Sequence, residues 1–361
     1  MASFRTALLA TAATALSLAA TPAALANGLT FTNYTTANGL GGNNVSGVYA
    51  SGSSIYAATE GGLSISTNGG TSFTNYTTSS GLGNNNLYGV YASGSSVYAA
   101  TYGGGLSIST NGGTSFTNYT TANGLGGNNV SGVYASGSSI YAATEGGLSI
   151  STNDGTSFTN RTTSNGLGNN AVTDVYADGG NIYAATNGGL SISTNGGTSF
   201  TNRTTTSGLG NNTVNGVYAD GGNIYAATFG GLSISTNGGS SFTNYTTSSG
   251  LGSNIVYGVY ASGSSIYAAT GGGLSISTDG GTSFTNYTIT SGLGNDIVTG
   301  VYADGGNIYA ATNGGLSIAQ QSDPPSAVPG PLPLFGAVSA FGFSRKLRRR
   351  LRAAATASPC C

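Results

Sequence analysis

The chain has 361 residues, 63 of them glycine, with no histidine, no tryptophan, only 5% charged residues and a formal net charge of −1. Between residues 27 and 319 two basic residues, Arg161 and Arg203, stand against nine acidic ones, and histidine, cysteine and lysine are absent. That balance of about −7 excludes the basic footprint of a nucleic-acid binder, the missing side chains remove most nucleophile and acid–base constellations, and no cluster of oxygen ligands has the spacing of a calcium loop.

In chain order, residues 1–26 read as a secretory signal peptide. Arg5 supplies the charged start, residues 7–20 the apolar run, and Ala24-Leu25-Ala26 the small-x-small cleavage site, so the mature chain is expected to begin at Asn27. A repeat follows. Phe31, Phe73, Phe116, Phe158, Phe200, Phe242 and Phe284 recur every 42 or 43 residues, and Val48, Val90, Val133, Val175, Val217, Val259 and Val301 recur in step with them. A period this regular outranks any local reading.

Each unit predicts four strands between Gly, Asn and Ser turns, for example over residues 30–35, 45–50, 55–59 and 63–66. Val48 and Ala50 oppose Tyr49, and Ile55 and Ala57 oppose Tyr56 and Ala58, so both faces of these strands must be covered, as they are when blades stack around an axis. Leu63 and Ile65 alternate with Ser64 and Ser66, which predicts a partly solvated rim. The opening segment supplies only a fourth strand and residues 301–319 only the first three, so the two ends are expected to complete one blade. The expected fold is therefore an all-β, seven-bladed β-propeller of four-stranded blades over residues 27–319, closed by pairing the N-terminal strand with the last three. A β-solenoid competes, but it uses shorter coils and leaves two ends to cap.

The octet Ser66-Thr67-Asn68-Gly69-Gly70-Thr71-Ser72-Phe73 starts again at Ser109, Ser151, Ser193, Ser235 and Ser277. It resembles the Asp-box hairpin of sialidase-like and sortilin-like propellers, with Asn for Asp except at Asp279, and Phe for Trp. The other half of the unit, Asn38-Gly39-Leu40 through Asn43-Asn44-Val45 to Ala58-Thr59-Glu60-Gly61-Gly62-Leu63, resembles propeller repeats in periplasmic sensor domains of two-component regulators. Such resemblances carry fold more than function.

Residues 320–327 read as a Pro-containing linker and residues 328–352 as a C-terminal signal. The latter opens on Val328, Pro329, Gly330, Pro331, Leu332, Pro333 and Leu334, runs apolar to Phe343, and ends on Arg345, Lys346, Arg348, Arg349 and Arg350. It resembles a PEP-CTERM-type sorting signal in its cyanobacterial Val-Pro-x-Pro-Leu-Pro-Leu variant, with Gly330 where the name-giving motif has Glu. The resemblance implies an exosortase-like processing enzyme as partner and transient membrane insertion. The apolar segment is short against the roughly 20 residues of a stable span, and the basic cluster would stay on the cytoplasmic side. A basic tail on acidic lipid is the alternative. Residues 353–361 form a tail holding the only cysteines, Cys360 and Cys361.

No catalytic, cofactor or metal site is expected. Sialidase-like chemistry needs an arginine cluster, whereas Arg161 and Arg203 occupy the repeat position held elsewhere by Tyr34, Tyr76, Tyr119, Tyr245 and Tyr287. Glu60 and Glu145 share one repeat position two units apart, a separation expected at or beyond the range of a glycosidase pair, and are read as solvated loop residues. The residue after Ala-Ala-Thr is the informative one: Glu60, Tyr102, Glu145, Asn187, Phe229, Gly271 and Asn313 vary in nearly constant surroundings. These positions are expected on one face, near Tyr88, Asp174, Asn215 and Tyr257, where they could grip a glycan or peptide. Neutral variation of exposed loops competes with that reading. The recurring Asn-x-Thr at Asn33 and its six equivalents is read as strand-edge hydrogen bonding. The expected function is an exported structural or interaction propeller at the cell surface or extracellular matrix, with extracellular polysaccharide or a surface protein as partner. A glycan-binding or glycan-cleaving propeller and a detached periplasmic sensor are the alternatives.

Overall fold

The computed structural model describes residues 28–320. The expected signal peptide with its cleavage site and the C-terminal linker, sorting signal and tail from residue 321 onward lie outside the described residues. Within them, seven four-stranded antiparallel sheets form the blades of a β-propeller.

Blade 1 shows how the unit is made. Its strands are Val45–Ser51, Ser54–Thr59, Gly62–Ser66 and Thr74–Tyr76, innermost first. β-branched and aromatic residues stand next to each other in the first two, at Val48-Tyr49 and Ile55-Tyr56, which puts one on each face of a pleated surface packed on both sides. The third-to-fourth turn is closed by side chains. Ser66 Oγ donates to Asn68 Oδ1 (2.8 Å) and accepts from the Gly70 N–H (2.9 Å), while Asn68 Oδ1 also accepts from the Ser72 N–H (3.1 Å). After the fourth strand a short 3₁₀ turn leads to the next blade. In the turn that enters blade 1, Thr35 caps the N-terminus, and Gly39 at φ +95° lies so close to the Phe73 carbonyl that a Cβ would stand 2.5 Å from it. Only glycine satisfies both demands there.

Ring closure follows the expectation. Thr32–Tyr34 pairs with Gly315–Gln320, with Asn33 opposite Ser317, and completes blade 7 beside Asn307–Thr312 and Val298–Asp304. The last strand runs to Gln320, which pairs with Asn307, one residue beyond the expected boundary at 319.

The core lies between blades. One cluster joins Tyr56, Ala58, Leu63 and Ile65 of blade 1 to Leu82, Leu87, Ala92, Val97, Ala99 and Phe116 of the next repeat, and six equivalents complete the circle. Each fully buried Leu or Ile contributes about 2 kcal/mol by burial.

The third strand departs from the sequence reading. Gly62–Ser66 is buried along its whole length, including Ser64 and Ser66, so it is not a solvated rim. Ser64 is buried because it is satisfied: it accepts from the Gly41 N–H (2.9 Å) and donates to Asn75 Oδ1 (3.1 Å), while Asn75 Nδ2 donates to the Gly61 carbonyl (2.9 Å). The Asn of each Asn-x-Thr repeats this link from the outermost strand to the second-to-third-strand turn. Arg161 and Arg203 end outermost strands opposite Leu148 and Leu190, in the register where Tyr34, Tyr119, Tyr245 and Tyr287 pack edge-on against the phenylalanine of the following repeat.

Candidate binding face at the mouth of the axial channel

The innermost strand of every blade carries a β-bulge at its start: Val45 pairs with Thr59, but the next partner of Ala58 is Gly47, leaving Ser46 unpaired. The same shift recurs at Tyr88, Ser131, Thr173, Asn215, Tyr257 and Thr299. A bulge re-aims the extra residue. Here all seven line the axial channel, a cavity of about 230 Å³. Three of them stitch neighbouring blades together: Thr173 Oγ1 donates to the Val214 carbonyl (2.6 Å), Asn215 Nδ2 to the Val256 carbonyl (2.8 Å) and Thr299 Oγ1 to the Val45 carbonyl (2.7 Å).

The second-to-third-strand turns stand at the same end. In every repeat the N–H of the variable turn residue donates to the carbonyl of the residue preceding the innermost strand, as Glu60 does to Asn44 (3.2 Å), Tyr102 to Asn86 (2.9 Å) and Glu145 to Asn129 (3.3 Å). Asn187, Phe229, Gly271 and Asn313 make the equivalent bond, so all seven share one face with the channel mouth. Glu60, Tyr102, Glu145, Asn187, Phe229 and Asn313 are exposed there, Tyr102 at 49% and Phe229 at 46%.

Blades 2 and 3 bring part of this set together. The Tyr88 and Tyr102 rings meet edge to face, with centroids 5.7 Å apart and planes at 89°. Beside them Asn129 Nδ2 donates to the Glu145 carboxylate (2.6 Å), and Asn129 Oδ1 is buried without a hydrogen-bond partner. Burial, then Tyr102 and Glu145, push the Tyr88 hydroxyl above the ordinary phenol pKa. Tyr88, Asn129 and Glu145 line a cleft of about 460 Å³ with Ser46, Ser131 and Thr299. Glu60, Tyr102, Asn187, Phe229 and Asn313 lie outside its lining, Tyr102 touching it only through the ring of Tyr88. Asn129 was missed in the sequence because Asn44 and Asn86 occupy the same repeat position and Asn44 has Glu60 where Asn129 has Glu145, so only the hydrogen bond to Glu145 sets it apart.

One step inside the mouth the channel is lined by glycine in six repeats and by Asp174 in the seventh. Its Oδ1 accepts from the Val175 N–H (2.8 Å) and its Oδ2 from the Val217 N–H of the next blade (3.0 Å). Burial raises its pKa to about 6 against the opposing pull of those two donors. Further along the inner strands, Tyr49, Tyr91, Tyr134, Tyr176, Tyr218, Tyr260 and Tyr302 close a ring around the axis, adjacent centroids 4.6–4.9 Å apart. Burial, the largest cause at each position, pushes Tyr134 up to about 12 and raises the other six, so this collar is neutral at physiological pH. Among the described residues no group of three or more His, Cys, Asp or Glu side chains could hold a metal ion.

No family model and no curated protein matches the sequence. The fold is similar to that of the extracellular domain of a hybrid two-component system from B. thetaiotaomicron, with a TM-score of 0.69 and 23% identity over 82% of this chain and 42% of that one. It is similar to YCF48 bound to D1 peptide, with a TM-score of 0.59 and 13% identity over 78% of this chain and 94% of that one. An ancestral GH74 enzyme gives a TM-score of 0.58 and 20% identity over 80% and 46%. Likeness at these identities shows the β-propeller fold and leaves function to the site. The chain spans about two fifths of the length of the two-component extracellular domain it resembles.

Proposed function

We propose that the protein is an exported, non-catalytic interaction propeller that grips an extracellular glycan across the channel mouth. The observation that carries this reading is the cleft at blades 2 and 3. The second repeat departs from its neighbours there in Tyr88 and Tyr102, which set an exposed aromatic pair beside the Glu145–Asn129 carboxylate–amide pair of the third. Aromatic rings offer rigid apolar contact to the C–H faces of a pyranose, and Glu with Asn offers acceptors and donors to its hydroxyls. A binding role is favoured over cleavage because Glu145 already accepts from Asn129 and Glu60 stands two blades away, so no second carboxylate faces it across the cleft. Export rests on the reading of residues 1–26, and retention at the surface by an exosortase-like enzyme on that of residues 328–352. A periplasmic sensor role is the second reading, favoured by the fold's likeness to the two-component extracellular domain.

A glycan array tests this. Saturable binding is expected for the wild-type protein and a loss of at least tenfold in Tyr102→Ala and Glu145→Gln, with Phe229→Ala, on a distant blade, unaffected. Absence of binding, or binding indifferent to both Tyr102→Ala and Glu145→Gln, overturns the glycan reading.

A further inference from the structure

We infer that the axial channel receives a protonated amino group of the bound glycan, with the Asp174 carboxylate as its acceptor. This inference rests on the glycan reading of the adjoining cleft.

Six repeats place Gly47, Gly89, Gly132, Gly216, Gly258 and Gly300 where the fourth repeat has Asp174. The carboxylate fills space those glycines leave open: its Oδ1 lies 2.8 Å from the point a Cβ on Gly132 would occupy. Blade packing does not call for it, since the six other repeats hold the same register with glycine. Its two N–H donors occupy about half of the lone-pair positions a carboxylate offers, and the residue lines the channel. Enclosing an anion without a countercharge is costly, yet the only cationic side chains among the described residues, Arg161 and Arg203, end outermost strands. The Thr173 and Asn215 side chains beside it donate elsewhere, to carbonyls of the next blade. The described residues supply no countercharge for the ionised carboxylate, which leaves a proton or a cation from solution to neutralise it.

The channel is open to the cleft. Ser46, Tyr88, Ser131 and Thr299 line both cavities, so a sugar seated on Tyr88 can direct one substituent down the axis. A primary ammonium supplies three donors in a small volume, whereas an acetamido group is bulkier and neutral. The excess of acidic residues over basic ones in the described residues favours the same sign of ligand.

The test is titration calorimetry of the whole protein with a glucosamine tetramer bearing free amines and with its N-acetylated counterpart, in wild type, Asp174→Asn and Asp174→Gly. Asp174→Gly restores the residue of the other six repeats, and its melting curve verifies that it folds. The free-amine oligomer is expected to bind wild type at least tenfold more tightly than the acetylated one, a preference that collapses to near unity in both variants while affinity for the acetylated oligomer is retained. Equal binding of the two oligomers by wild type, or a preference that survives in Asp174→Gly, overturns the inference and leaves the glycan reading standing. Failure of wild type to bind either oligomer, or any glycan on the array, overturns both.

Discussion

At Asp174 a single side chain couples pH to stability. Its folded pKa of about 6 lies above that of an exposed aspartate, because burial disfavours the charged form. Folding therefore favours the protonated acid: the group's favourable contribution is complete below the unfolded value near 4 and is lost as pH rises through 6. Asp174→Asn should gain on wild type between pH 4 and pH 7 by on the order of 2 kcal/mol, allowing for the side chain's residual exposure along the channel, and urea unfolding at a series of pH values measures it. Asp279 runs the other way. Ser283 Oγ, Ser277 Oγ and the Ser283 N–H hold its pKa down to about 2, so what it adds to stability is present above pH 4 and lost as pH falls toward 2. Asp279→Asn, which installs the residue found in the other octets, should flatten that acid limb in a thermal melt. Asp154 has a different problem: it is the one non-glycine residue with positive φ (57°) among the described residues, where other octets carry glycine. Asp154→Gly should raise stability by about 0.5–1 kcal/mol, read by the same unfolding assay.

Within a blade, the Gly–Ser–Asn link joins the outermost strand to the second-to-third-strand turn and supports the binding face from behind. Asn244→Ala, which deletes the acceptor for Ser233 Oγ (2.9 Å) and the donor to the Gly230 carbonyl (2.8 Å), should cost about 1–3 kcal/mol, measured by denaturant midpoint at unchanged slope. The link explains where sequence patterning misled. Alternation of Leu63 and Ile65 with Ser64 and Ser66 looks like a half-wet strand, yet a hydroxyl with both donor and acceptor partners is as buriable as a methyl group. The β-bulge was equally invisible, since one unpaired residue among Ser46, Tyr88, Ser131, Thr173, Asn215, Tyr257 and Thr299 leaves no common residue type to detect.

Over the whole molecule, closure depends on three residues. Thr32–Tyr34 covers the edge of Gly315–Gln320, while Leu29 and Phe31 pack into the cluster between blades 6 and 7. Deleting residues 28–35 uncovers a full strand edge and opens that cluster. The truncated protein should melt roughly 10 °C or more lower and self-associate, seen by calorimetry and light scattering. Export is a matter for the same scale. Intact mass of protein recovered from the medium or envelope should correspond to a start at Asn27 and loss of the basic C-terminal cluster, and a retained Arg-rich tail would count against processing.

By itself the sequence determined the repeat, its number, the four strands of each blade and the closure of the ring, because a 42-residue period with two-sided apolar strands admits few other ways to cover its surfaces. It also marked Glu60, Tyr102, Glu145, Asn187, Phe229 and Asn313 as positions of one face, since equal repeat positions must be equivalent in a ring. Only tertiary structure decided which of them meet. The Tyr88–Tyr102 contact, the Asn129–Glu145 bond and the enclosure of Asp174 depend on blade spacing and on a bulge that turns side chains toward the axis. Distances between non-adjacent strands are set by packing, and a repeat period carries no record of them.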